Sequence, residues 1–81
     1  MLLIKPSAAK ELEELPLKNR KRIAAKIQRL TSTPRPTGAE KLSGLDKYRL
    51  RQSDCRVLYS FDDTETTVVI VKIGHRREVY R

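Results

Sequence analysis

Apolar and polar positions divide the chain into an apolar start, two stretches of helical period, a breaker-rich gap and three stretches of strand period. Leu2, Leu3 and Ile4 form a run closed by Lys5 and Pro6, which predicts a brief strand at a sheet edge. Ser7 stands where a helix N-cap belongs, its hydroxyl placed to accept from an early helical N–H. Ala8, Ala9, Leu12 and Leu15 recur at helical spacing and predict one apolar face. Pro16 ends that helix and opens the next. Ile23, Ile27 and Leu30, with Ala24 beside them, form the stripe of the second helix. Lys18, Arg20, Lys21, Arg22, Lys26 and Arg29 fill its other faces. Two short helices joined at a proline predict a helical hairpin.

Residues 31–38 carry two prolines, a glycine and three threonines, and predict a loop. Strand period then takes over. Tyr48 and Leu50 point one way, Arg49 and Arg51 the other. Ser53 and Asp54 predict a tight turn. Beyond it Cys55, Val57, Tyr59 and Phe61 share one face, and Arg56, Leu58 and Ser60 the other. Asp62 to Glu65 predict a second, polar turn. The β-branched run from Thr67 to Ile73 predicts a strand buried on both faces. The element order is βααβββ. It predicts an α+β domain whose N-terminal helical hairpin packs on one face of a small, mostly antiparallel sheet. No repeat or composition break divides residues 1–81, so a single domain is expected.

Composition sharpens this picture. With 81 residues, 38% apolar and 35% charged, the chain builds one modest core and is expected to gain stability from a partner. The net charge of +8 favours polyanionic partners. Residues 1–30 hold eight basic and three acidic side chains, whereas residues 61–81 hold four of each. The field therefore comes from the helices and the loop-to-sheet region. Cys55 is the only cysteine, which excludes an intrachain disulfide and marks it as a small strand hydrophobe. No apolar run is long enough to span a membrane, and the start lacks a signal-peptide pattern, so no membrane role and a cytoplasmic location are expected. No His, Cys, Asp and Glu spacing matches a metal-ligand set, and no cofactor is expected.

The strand alternation gives the arginines a meaning. Once the helices cover the face of Tyr48, Leu50, Val57 and Tyr59, the residues Arg49, Arg51 and Arg56 share the other face. Arg49 and Arg51 lie about 7 Å apart along one strand, and Arg56 sits on its antiparallel neighbour. Lys72 and Arg76 approach the same region if the last strand pairs beside that of Arg56. Like charges side by side repel, and a phosphodiester is the group that guanidiniums bind in bidentate fashion. The chain then ends in a glycine, His75, Arg76, Arg77 and, soon after, Tyr80. Such a set suits RNA cleavage, in which the 2′-hydroxyl attacks its own 3′-phosphate. Arginines stabilise the phosphorane charge, and Tyr80 or His75 handles the protons. Nearby arginines would have to lower the phenol's pKa, which is near 10 in water.

Tyr48-Arg-Leu-Arg-Gln-Ser-Asp-Cys-Arg-Val-Leu-Tyr59 followed by Val71-Lys-Ile-Gly-His-Arg-Arg-Glu-Val-Tyr80 resembles the RelE-type toxins of the RelE/ParE superfamily. Ala8 to Leu12 and Leu15-Pro16 fit the start of that family as well. The resemblance implies the RelE/ParE-like, microbial-RNase-like fold and a toxin of a type II toxin–antitoxin pair. Such toxins cleave messenger RNA in the ribosomal A site and are held inactive by a cognate RelB-like antitoxin. The family's basic strand residues match Arg49 and Arg51, its phosphate-binding arginine Arg56, its later arginine Arg76, and its catalytic tyrosine Tyr80. His75 and Lys72 would be supporting residues. Lys18, Lys21, Arg22, Lys26 and Arg29 would contact small-subunit ribosomal RNA.

Three departures matter. Cys55 replaces a usual aromatic, the first strand is short, and arginine rather than lysine at 49 and 51 leaves no proton-transferring amine there. The same superfamily offers two other readings, a ParE-like inhibitor of DNA gyrase and a catalytically inert relative that binds antitoxin or nucleic acid.

Overall fold

The computed structural model describes residues 1–42, 47–52 and 55–75, with residue 75 described by its backbone alone. Among the described residues seven elements follow one another: β1 (Leu2–Ile4), α1 (Pro6–Glu13), α2 (Leu17–Arg29), β2 (Glu40–Lys41), β3 (Lys47–Gln52), β4 (Cys55–Asp62) and β5 (Thr67–His75). The strands form one sheet in the order β1-β5-β4-β3-β2. β1 runs parallel to β5 at one edge, and the other three pairings are antiparallel. The fold is the expected α+β arrangement with one further strand, β2. Two residues carry no period, so β2 is invisible to a pattern reading.

Helix α1 starts two residues earlier than the Ser7 cap implied. Pro6 occupies its first turn and Lys5 is the capping position, with no side-chain cap. Proline has φ preset for the helix and no N–H to leave unsatisfied, so it fits that position without help from Ser7. Pro16 stands at the N-cap of α2, joining the helices as the sequence implied.

The core lies between the helices and one sheet face. Ala8, Leu15, Ile23, Ile27 and Leu30 meet Tyr48, Leu50, Cys55, Val57, Tyr59, Val68, Ile70 and Ile73. Each fully buried aliphatic chain among them contributes about 1.5–3 kcal/mol of transfer free energy. β5 departs from expectation: Val68, Ile70 and Ile73 are buried, but Val69 and Val71 are only half-buried. Helices cover one face alone, so the second face of this β-branched strand stays partly open. A register shift between Leu58 and Tyr59 makes Val71 an extra residue in β5. That bulge lets Ile70 and Ile73 both face the core.

The loop between α2 and β2 is pinned to the sheet. Tyr59 Oη donates to the Pro34 carbonyl at 2.7 Å. Arg35 Nε donates to Tyr48 Oη at 2.8 Å, and its guanidinium pairs with Asp63 at 3.0 Å. That guanidinium also lies 5.4 Å from the Tyr48 ring centre and 5.1 Å from that of Phe61. Gly38, at φ +97°, then turns the chain into β2, a conformation open to glycine.

Candidate anion site on the open sheet face

Strand pairing decides which cations meet. Arg51 lies directly opposite Arg56, and Arg49 opposite Leu58. Cross-strand partners share a face, so Arg49, Arg51 and Arg56 lie together on the face away from the helices. Gly74 sits on the other side of Arg56 in β5 and adds no side chain beside it. Exposure grades across the three. Arg56 is 6% exposed, the Arg49 side chain 15%, and that of Arg51 53%. The face read as open is therefore nearly closed at Arg56.

Among the described residues, one carboxylate is paired with this cluster. Glu40 of β2 is the direct cross-strand partner of Arg49. Its Oε2 accepts from Arg49 Nη2 at 2.6 Å, and its Oε1 lies 3.6 Å from Arg51 Nη2. The hydrogen bond from Arg49, and then the Arg49 charge, hold the Glu40 carboxyl below its ordinary value, with Arg51 and Arg56 adding to the field. A carboxylate with a depressed folded pKa stabilises the protein above its unfolded pKa of 4.5. That contribution fades as pH falls through the lower, folded value. At neutral pH the pair is ionised and intact, and three guanidiniums act on one anionic group. A sequence search for cations passes over Glu40, since only the pairing of β2 with β3 brings it there.

The remaining candidates divide. Lys72 faces Leu58 across β4, in the same row as Arg49, but its ammonium is held at 3.0 Å by Glu11 of α1. The other Glu11 oxygen accepts from the Ile73 N–H at 3.2 Å, on the stretch of β5 that β1 does not reach. Lys72 is thus turned toward the helix layer instead of the arginines. His75 closes β5 opposite Cys55, one pair beyond Arg56 and Gly74. Its side chain, Arg76 and Tyr80 lie outside the described residues, as does the Ser53–Asp54 turn. Lys18, Lys21, Arg22 and Arg29 are exposed on α2, and Lys26 is half-buried. They lie on the helix layer, so the sheet separates them from the arginine cluster. Tyr59 cannot serve as a proton carrier: burial first, and then Tyr48, push its phenol up to about 12.

Among the described residues no group of three or more His, Cys, Asp and Glu is placed to hold a metal ion. No described helix is long and apolar enough to cross a membrane.

Comparison with known proteins gives this geometry a context. The family model for the ParE toxin of the type II toxin–antitoxin system parDE matches residues 2–80. Toxin RelG of Mycobacterium tuberculosis is 44% identical over 34 residues, a stretch that takes in 42% of this chain and 39% of RelG. The archaeal RelE–RelB complex from Pyrococcus horikoshii OT3 contains a similar chain, with a TM-score of 0.84 and 30% identity over 93% of this chain and 92% of that one. The isolated E. coli RelE toxin superposes with a TM-score of 0.81 and 28% identity, covering 99% of this chain and 89% of RelE.

Proposed function

The chain belongs to the RelE/ParE family of toxins of type II toxin–antitoxin systems, and from that premise we propose that it is a ribosome-dependent endoribonuclease that cleaves messenger RNA. The observation that carries this reading is that Arg49, Arg51 and Arg56 share one sheet face, with Arg49 and Arg51 meeting on a single carboxylate. A scissile phosphate in that place meets fixed positive charge that strengthens as the phosphorane forms. Arg56 is held most firmly, by its burial on an inner strand, and Arg51 is the one most open to a ligand.

The proposed reaction is attack of the 2′-hydroxyl on the adjacent 3′-phosphate with loss of the 5′-oxygen. Arg76 adds a further cation, Tyr80 or His75 takes the proton from the nucleophile, and the leaving 5′-oxygen takes a proton from the other of the two or from water. With arginine at 49 and 51, the strands hold charge but transfer no proton at neutral pH. The register makes the tail's contribution feasible. His75 pairs with Cys55, next to the Arg56–Gly74 pair, so Arg76 follows in sequence from a residue at the arginine end of the sheet. Tyr80 stands five positions beyond His75, a span of at most about 17 Å.

A cognate RelB-like antitoxin is the proposed partner, as in the RelE–RelB complexes that this chain resembles. The exposed basic face of α2 is proposed to dock on ribosomal RNA phosphates. Reversing Lys21, Arg22 and Lys26 to glutamate should weaken ribosome binding by about tenfold or more and flatten its salt dependence. The cleavage rate of bound complexes should stay unchanged, because the sheet lies between the two surfaces. Unaltered affinity and salt slope would leave this face merely solvated.

The matching family model is that of ParE, which favours a second reading, inhibition of DNA gyrase. Primer extension on messenger after induction separates the two. New 5′ ends within translated frames are expected for the nuclease. Intact messenger together with a loss of plasmid supercoiling would establish the second reading instead.

A further inference from the structure

Glu40 is an unexpected resident of a site built for phosphate. An isolated surface ion pair would call for no comment, because such pairs contribute little. Three features set this one apart. The carboxylate is delivered by backbone register, Glu40 against Arg49, and not by the reach of a long side chain. Its two oxygens engage different arginines, as two phosphate oxygens would. The strand that carries it is two residues long and outermost in the sheet, entered through Gly38 and followed by a single Leu42 N–H to Lys47 carbonyl bond of 2.8 Å.

We propose that Glu40 is a built-in phosphate surrogate, occupying the arginine cluster in the free toxin and yielding it to a phosphodiester only when other contacts present the RNA. The inference rests on the nuclease reading for its biological sense, although the competition itself does not need it. Phosphate and carboxylate are both anions drawn to Arg49 and Arg51, so one weakens the other. The site is attenuated and not abolished, since the Arg51 side chain stays 53% exposed beside Glu40. An isolated RNA phosphate, arriving without further contacts, must displace Glu40 or share its arginines. A messenger already positioned on the ribosome brings those further contacts. Glu40 is thus a specificity-determining residue that makes the cluster selective against free RNA. The edge position of β2 lets the carboxylate withdraw without disturbing the core, since neither Glu40 nor Lys41 belongs to it.

The test uses the full-length chain and a fluorescein-labelled 2′-O-methyl RNA trinucleotide, which cannot be cleaved, read by anisotropy across a salt series. E40Q should bind the probe about fivefold more tightly than wild type. Its plot of log affinity against log salt should steepen by about 0.7, the slope for one more phosphate contact on a single strand. E13Q, which removes an exposed α1 carboxylate and changes net charge equally, should bind as wild type does. E40A serves as the second variant, and circular dichroism melts confirm that both are folded. Equal tightening by E13Q would reduce the effect to net charge and overturn the proposal. Unchanged or weaker probe binding by folded E40Q would do the same, and a lower rate of ribosomal cleavage in that variant would mark Glu40 as a positioning residue for the chemistry. Failure of the nuclease reading looks different: E40Q tightens on the probe, yet primer extension finds no cleavage with either protein.

Discussion

Replacing Arg56 by lysine should slow single-turnover cleavage of ribosome-bound messenger by about 10²- to 10³-fold. Arg56 is the most enclosed cation of the cluster, on a strand paired along both sides, opposite Arg51 and Gly74. A side chain so confined is pre-aimed, which gives a charge its largest effect on a transition state. Lysine keeps the charge and much of the stem but loses the planar fork that matches two phosphate oxygens. Alanine should be at least as slow, but it also removes a buried stem at the sheet centre, so the lysine variant is the cleaner probe. The measurement is the rate with ribosomes in excess, alongside the affinity for those ribosomes. The proposed role requires the rate to fall and the affinity to hold. A loss confined to affinity would make Arg56 a docking residue, and an undiminished rate would remove it from the chemistry.

The contrast between Arg56 and Lys72 shows what a sequence can and cannot carry about such a site. Alternation placed Arg49, Arg51 and Arg56 on one face, and strand register put them there, because the two-residue period leaves no freedom once the core face is chosen. The same logic put Lys72 in their row, correctly for its Cα. Its ammonium nevertheless pairs with Glu11, 61 positions earlier in the chain, through a contact that only the packing of α1 against β5 creates. Glu40 was hidden for a related reason. Its strand is too short to show a period, and an acidic residue in a loop looks solvated until β2 is laid against β3. Arg35 is the converse case. Nothing in the pattern of the loop singles it out, yet its bonds to Tyr48 and Asp63 tie the loop to the sheet. Cations near a phosphate site are thus legible as a face. Their carboxylate partners are legible only from tertiary contacts.

Tyr80→Phe should reduce ribosomal cleavage by about 10²- to 10⁴-fold while leaving antitoxin binding and the melting temperature unchanged. The substitution removes one oxygen and keeps the ring, so what is lost is the capacity to move a proton. The tyrosines of the core illustrate what that capacity needs. Tyr59, buried and stacked on Tyr48 with ring centres 5.5 Å apart, has its phenol pushed up to about 12 and is fixed as a donor to Pro34. A phenol beside Arg51 and Arg56 is under the opposite influence, since neighbouring guanidiniums favour the phenolate and draw its pKa toward the working range. Position relative to the cluster therefore separates a catalytic tyrosine from a structural one. That position for Tyr80 is a proposal from the sequence, in which Tyr80 follows five positions after His75, whose backbone lies one pair from Arg56. The pH profile provides the decisive readout. In the wild type the cleavage rate should rise with pH until the base is ionised, and this rise should vanish in Tyr80→Phe. If the rise survives in Tyr80→Phe and disappears in His75→Gln, the imidazole is the base and Tyr80 only lines the site. Should both variants keep full cleavage and its pH profile, the proton would be moved by neither residue, and the arginine cluster would be left as a binding surface without a catalytic partner.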